Sequence, residues 1–107
     1  MRTKCKGKST VFFADPPRII SAGTIVGDVE AKGPLGSYFD IALEDDTWGE
    51  GTWEKAERKM FEHAVRTAVE KGGLTPMQVD ILLGGDLLNQ IISANFAARE
   101  LEIPFLG

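Results

Sequence analysis

The residues best suited to chemistry lie in segment 84–90, which reads Gly-Gly-Asp-Leu-Leu-Asn-Gln. The Asp86 carboxylate can accept hydrogen bonds or bind a cation, and the Asn89 and Gln90 amides supply both donors and acceptors. Because two glycines precede these side chains, the backbone can turn sharply there and expose its N–H groups. We therefore predict that Asp86, Asn89 and Gln90 orient a small polar ligand.

A purely structural role for the same segment stays open. Asp86 and Asn89 can cap the helix that follows, by accepting hydrogen bonds from N–H groups that have no partner within the helix. Elsewhere the sequence contains no complete phosphate loop of the form Gly-x-x-x-x-Gly-Lys-Ser/Thr, no Gly-x-Gly-x-x-Gly and no Cys/His cluster with zinc spacing. We predict no catalytic residue, no metal site and no cofactor.

The elements around this segment should hold it at the edge of a sheet. The segment 80–83, which is apolar over 81–83, predicts a parallel strand covered on both faces. A helix is predicted from about residue 90 to residue 100, and another strand over 103–106 with Pro104 at its entry. Polar residues between a strand and a helix lie where α/β proteins bind ligands. The helix should pack closely on the sheet through Ala94, Ala97, Ala98 and Leu101.

The first half of the chain predicts extended structure followed by a long loop. Residues 9–27 are extended in pattern, and the β-branched run 18–27 predicts a buried strand. Gly23 within it marks a bulge or a close backbone approach. Residues 28–51 predict a long loop. Carboxylates concentrated in 40–54 could bind calcium, but their spacing matches no EF-hand, and a solvated face is the alternative interpretation.

Two helix starts are encoded in the middle of the chain. Thr52 can cap a helix over 53–71 that ends at the glycine pair 72–73. Thr75 and Gln78 can form the capping box of a very short helix. The long helix carries an apolar stripe at helical spacing, made of Trp53, Ala56, Met60, Phe61, Ala64, Val65 and Ala68.

These elements predict an α/β fold with a mostly parallel sheet and covering helices. At 107 residues the chain, 1–107, is long enough for one domain. Three strands make a thin sheet for this much apolar surface. We therefore expect an incomplete domain, or one that pairs with another chain as a homo-oligomer.

Charge is unevenly distributed along the sequence. The net charge is −4, which favours neither nucleic acid nor an acidic surface as a partner for the whole chain. The first twenty residues nevertheless contain five basic residues and one acidic residue. We predict a flexible, solvated tail over 1–10, with contact to a membrane surface or an acidic partner as the alternative. We predict no secretory signal and no transmembrane segment, because no apolar run approaches the required ~20 residues.

Several motifs together resemble the stage V sporulation protein AD family of spore-forming bacteria. They are Ser-Ala-Gly-Thr at 21–24, Gly-Pro-Leu-Gly-Ser at 33–37, Trp-Glu-Lys-Ala-Glu-Arg at 53–58, the 84–90 segment, Ala-Asn-Phe-Ala-Ala-Arg at 94–99, and Ile-Pro-Phe-Leu at 103–106. They keep the family's order and span nearly the whole chain. As a set they are more specific than any single motif.

The resemblance implies the N-terminal portion of a thiolase-like or ketoacyl-synthase-like fold, and a role in sporulation and germination without enzymatic activity. The family binds dipicolinic acid and moves it, with calcium, across the spore inner membrane together with membrane-embedded partners. The implied location is the forespore or spore, peripheral to that membrane. In the family a cysteine comes shortly after the strand that corresponds to 103–106. The sequence stops at Gly107, so we expect it to lack that cysteine and most of the ligand pocket.

Two alternatives belong to other functional classes. One is a piece of an acyl-condensing enzyme, a possibility that rests on analogy of fold alone. The other is a structural or assembly module, in which the acidic loop and the basic N-terminal segment contact partners. Neither has a motif of its own in the sequence.

Overall fold

A computed structural model describes residues 3–85, 87–88 and 92–107. Along the chain it contains strands β1 (Thr3–Lys6), β2 (Thr10–Phe13) and β3 (Ile25–Val26), helix α1 (Asp28–Ala31), strand β4 (Ile41–Ala42), helix α2 (Trp53–Lys71), strand β5 (Leu82–Leu83), helix α3 (Ile92–Leu101) and strand β6 (Phe105–Leu106). Short 3₁₀-helices lie at Gly36–Tyr38 and Pro76–Gln78. No helix in these ranges is both long and apolar enough to cross a bilayer.

Helix α2 has the predicted bounds, because its ends are set by local side-chain chemistry. The Thr52 hydroxyl accepts from the Lys55 backbone N–H at 3.2 Å, as an N-cap residue should. At the other end Gly73 takes a φ of 73°, the left-handed conformation that commonly ends a helix. The short helix after it is also confirmed, since the Gln78 Oε1 accepts from the Thr75 backbone N–H at 2.8 Å.

The core lies mainly between α2 and α3, which contact each other more extensively than any other pair of helices and strands. Ala94 and Ala97 on α3 are fully buried, and small side chains of this kind let two helices approach closely. Ser93 is buried as well, and its hydroxyl donates to the Glu54 carbonyl at 3.3 Å. The main partner of α3 is therefore α2, and the prediction that α3 packs mainly on a sheet is wrong.

The strands form three separate pairs among the described residues. β1 and β2 are antiparallel, whereas β3–β4 and β5–β6 are parallel. The mixed α/β class and the parallel pairing are confirmed, but the prediction of one mostly parallel sheet is wrong for this structure. Strands of two residues share too few ladder bonds to build a continuous sheet on their own.

The buried strand predicted over 18–27 is wrong over most of its length. Only Ile25 and Val26 are in a strand, and Ile19 is 94% exposed. Gly23, by contrast, makes the predicted close approach. A Cβ atom added there would lie 2.5 Å from the Ala64 carbonyl oxygen. The absence of a side chain lets this segment run against the backbone of α2.

Two further segments differ from their predicted form. Residues 3–13, predicted mostly as tail, form the β1–β2 hairpin, with Gly7 at a φ of 73° in its turn. Residues 28–51, predicted as a loop, contain α1, a 3₁₀-turn and β4. Both contain elements of four residues or fewer, and so short an element leaves almost no periodic signal in a sequence.

Candidate functional site

A groove of about 640 Å³ lies between β3, the first half of α2 and Leu88. Leu88, which lines it, belongs to the 84–90 segment that the sequence singles out. Its walls are mostly apolar and aromatic, with two carboxylates. The lining comprises Gly23, Thr24, Ile25, Val26, Phe39, Asp46, Trp53, Ala56, Glu57, Met60, Phe61, Ala64 and Leu88.

The predicted ligand-binding residues Asp86, Asn89 and Gln90 lie outside the described residues. Their described neighbours show how the segment approaches the groove. A Cβ atom added at Gly84 would lie 2.7 Å from the Phe61 ring, so the glycine lets the chain pass close to α2. The Leu88 side chain then lines the groove itself. The start of the segment therefore packs on the face of α2 that lines the groove.

Glu57 links α2 to this segment. Its Oε2 accepts a hydrogen bond of 3.2 Å from the Leu88 backbone N–H. Its Oε1 is buried and has no hydrogen-bond partner among the described residues. A buried carboxylate oxygen without a partner is costly, so it needs a donor or a cation nearby. Glu57 thus offers a free acceptor on the groove side of the helix.

Glu57 was not among the residues predicted from the sequence, although a signal for it was present. Residue 57 lies four positions after Trp53 and four before Phe61, which places a carboxylate within the apolar stripe of α2. An acidic side chain on the buried face of an amphipathic helix needs a partner. Only the structure shows that one partner is the backbone N–H of Leu88, 31 positions later in the chain.

The groove-lining residue Thr24 is held in place by the carboxylate of Asp40. Asp40 Oδ2 accepts from the Thr24 backbone N–H at 2.9 Å and from its hydroxyl at 3.1 Å. Asp40 Oδ1 accepts from the Lys71 ammonium at 3.0 Å. The Lys71 hydrogen bond first, and those of Thr24 next, hold the pKa of Asp40 below its usual range. This network fastens β3 to the C-terminal end of α2.

Asp45 and Asp46, in the same loop, also accept hydrogen bonds from neighbouring residues. Asp46 Oδ1 accepts from the Asp28 backbone N–H at 3.2 Å, and Asp45 Oδ2 accepts from the Thr47 hydroxyl at 2.7 Å. The Thr47 hydrogen bonds lower the pKa of Asp45. Across the described ranges, no three His, Cys, Asp or Glu side chains are grouped closely enough to hold a metal ion.

Comparison with known proteins identifies the family. The family model of stage V sporulation protein AD matches residues 7–107. Stage V sporulation protein AD of Bacillus subtilis (strain 168) is 48% identical over 103 residues, which is 96% of this chain. The chain spans 30% of the length of that relative. The resemblance seen in the motifs is confirmed, and the chain belongs to the stage V sporulation protein AD family.

Proposed function

We propose that this chain is the N-terminal part of a thiolase-like sporulation and germination protein. In this proposal the protein binds dipicolinic acid and assists its transport across the spore inner membrane. The observation that carries the proposal is the groove lined by Leu88 and Glu57. Leu88 lies between Asp86 and the pair Asn89 and Gln90 in the sequence. Family membership supports the sporulation role.

The chemistry of the groove favours a ligand that is flat, aromatic and accompanied by a cation. Dipicolinate is a pyridine ring with two carboxylates, and the rings of Phe39, Trp53 and Phe61 offer apolar surface for such a ring. The described lining contains Asp46 and Glu57 but no lysine or arginine. Two carboxylates would repel a free dianion. We therefore propose that calcium accompanies the ligand and offsets this repulsion.

In this proposal Asp86, Asn89 and Gln90 form one wall of the pocket. Because the chain spans 30% of the length of its relative, the other walls would come from segments outside it. The protein would be peripheral to the inner membrane of the forespore or spore, as a homo-oligomer working with membrane-embedded sporulation proteins. We propose no enzymatic activity for it; the single cysteine of this sequence, Cys5, is exposed on β1 and does not line the groove.

Titration calorimetry with dipicolinate and calcium tests this function on the full-length protein. Asp86→Ala should weaken binding about tenfold or more, the effect of losing one buried polar contact. Asp80→Ala removes an exposed carboxylate just before β5 and serves as the matched control. Affinity unchanged by Asp86→Ala would remove that residue from the site. No binding by the wild-type protein would contradict the proposed function itself.

An assembly module is the second candidate, and exposed apolar side chains favour it. Leu83 and Leu106 lie on the β5–β6 pair and are mostly exposed. Apolar strands left uncovered in this way are typical contact surfaces. Analytical ultracentrifugation of the chain should show self-association. A stable monomer with a sharp thermal transition would argue against this role.

A further inference from the structure

The N-terminal hairpin, residues 3–13, differs in charge from the rest of the chain. It consists of β1 and β2 joined by a turn at Gly7. It contains three lysines, Lys4, Lys6 and Lys8, and no acidic residue, whereas the whole chain has a net charge of −4. The hairpin is therefore a basic projection on an acidic protein.

Three consecutive large apolar residues on this hairpin are exposed. Val11, Phe12 and Phe13 are 48%, 54% and 47% exposed, respectively. Cys5 pairs with Val11 and Lys6 with Thr10, so Val11 and Phe13 share one face while Phe12 lies on the other with Lys6. A two-stranded hairpin is marginally stable by itself in water, and neighbouring exposed apolar residues mark a contact surface.

The placement of charge beside aromatic rings favours a lipid surface over a protein partner. The Lys6 ammonium lies 5.8 Å from the centroid of the Phe12 ring. Such a pair can put its ring and aliphatic stem at the headgroup level while the ammonium meets anionic headgroups. The centre of a protein–protein interface, in contrast, is depleted of lysine.

We propose that the N-terminal hairpin docks on an anionic lipid surface through the face that carries Phe12 and Lys6, with Phe12 in the interfacial layer and Lys6 and the turn residue Lys8 against the headgroups. This assigns the surface responsible for the peripheral membrane location proposed above, and in that respect it rests on the proposed function. The expected binding is reversible and salt-dependent, because three lysines and a few apolar side chains give a modest total attraction.

Vesicle flotation of the chain tests the proposal with two lipid compositions. Vesicles of phosphatidylcholine alone should bind little, whereas an equimolar mixture with phosphatidylglycerol should bind the chain. Raising the salt to about 1 M, where the Debye length is about 3 Å, should release it. Lys6→Gln with Lys8→Gln should weaken binding by about fivefold per lysine. Phe12→Ser should also weaken binding at low salt.

The matched control is Lys32→Gln with Lys55→Gln, which removes the same charge from α2 and from the residue that follows α1. It should change binding by less than about twofold, since neither lysine belongs to the hairpin that is proposed to meet the lipid. Equal losses in both double variants, equal binding to both lipids, or no binding would overturn the proposal. As a folding control, circular dichroism should show that each variant keeps its helices.

Fractionation of spores separates this proposal from the membrane location on which it rests. The full-length protein carrying Lys6→Gln, Lys8→Gln and Phe12→Ser should shift from the membrane fraction to the soluble fraction. If it stays with the membrane, the hairpin proposal is wrong while the peripheral location stands. If the wild-type protein is absent from the membrane fraction, the location is wrong as well.

Discussion

The Lys59 ammonium lies 4.5 Å from the centroid of the Trp48 ring and donates a 3.1 Å hydrogen bond to the Trp48 carbonyl. Trp48 has a φ of 48°, a left-handed conformation that costs a non-glycine residue about 1–2 kcal/mol. His63 contacts the same ring edge-on, with the two ring centroids 4.7 Å apart. Helix α2 therefore contacts the strained residue Trp48, near the end of segment 28–51, through both Lys59 and His63.

Lys59→Met should loosen this loop. The change keeps most of the aliphatic stem but removes the cation–π contact and the hydrogen bond, so we expect a loss of about 1 kcal/mol in the free energy of unfolding. Urea denaturation followed by tryptophan fluorescence reports on the loss and on the surroundings of Trp48 together. Lys55→Met, one turn earlier on the same helix, should have less effect. Equal effects would mean that the Trp48 contacts do not stabilise the loop.

Gly23→Ala should destabilise the packing of the β3 segment on α2. The added Cβ would lie 2.5 Å from the Ala64 carbonyl oxygen and 2.7 Å from the Ala68 nitrogen, and backbone atoms cannot move aside easily. We expect a loss of about 1–3 kcal/mol, typical of overpacking. As a control, a Cβ atom added at Gly51 would meet no other atom within 4 Å, so Gly51→Ala should leave the free energy of unfolding unchanged or raise it slightly. Chemical denaturation of both variants decides, and a neutral Gly23→Ala would contradict the close approach.

Thr52→Ala should weaken the start of α2 by about 1 kcal/mol, since it removes the side-chain acceptor for the Lys55 N–H. Thr52→Ser keeps the hydroxyl and should restore most of the stability. The measurement is the thermal unfolding midpoint, followed by the helical circular dichroism signal. If serine and alanine are equally destabilising, the threonine methyl group matters here and the cap does not.

Asp40→Asn should reduce the acid sensitivity of folding. The pKa of Asp40 is lowered in the folded chain, by Lys71 first and by Thr24 next. Its stabilising contribution is therefore complete above the unfolded pKa of about 3.9 and is lost as the pH falls through the lower folded value. The wild-type chain should exceed the variant in stability near neutral pH, and this difference should shrink below about pH 4.

Urea midpoints recorded from neutral pH to about pH 2.5 test this dependence. Asp15→Asn is the control, because it removes one exposed carboxylate and leaves the Thr24 and Lys71 contacts intact. The stability difference between Asp40→Asn and wild type could instead stay constant across the whole pH range. That result would show that the negative charge of Asp40 does not stabilise the folded state.

Local signals in the sequence were enough to predict several elements. Thr52, the glycines after Lys71 and the apolar stripe determine α2, because capping and periodicity act within a few residues of the chain. The Thr75–Gln78 capping box and the close approach at Gly23 were predicted for the same reason. The ordered motifs were also sufficient to identify the family.

Strand pairing and the groove depended on distant residues. The β-branched residues around Ile19 favour a strand in any context. Whether they are buried depends on which other segments pack against them, and in this structure Ile19 is exposed. The hydrogen bond between Glu57 and Leu88 joins residues 31 positions apart, and no local rule predicts it. The sequence by itself determined α2, the short helix after it, their N-terminal caps and the family, whereas the tertiary structure decided which strands pair and which carboxylate borders the groove. Helix signals are local, but pairing and burial are set by contacts between distant segments.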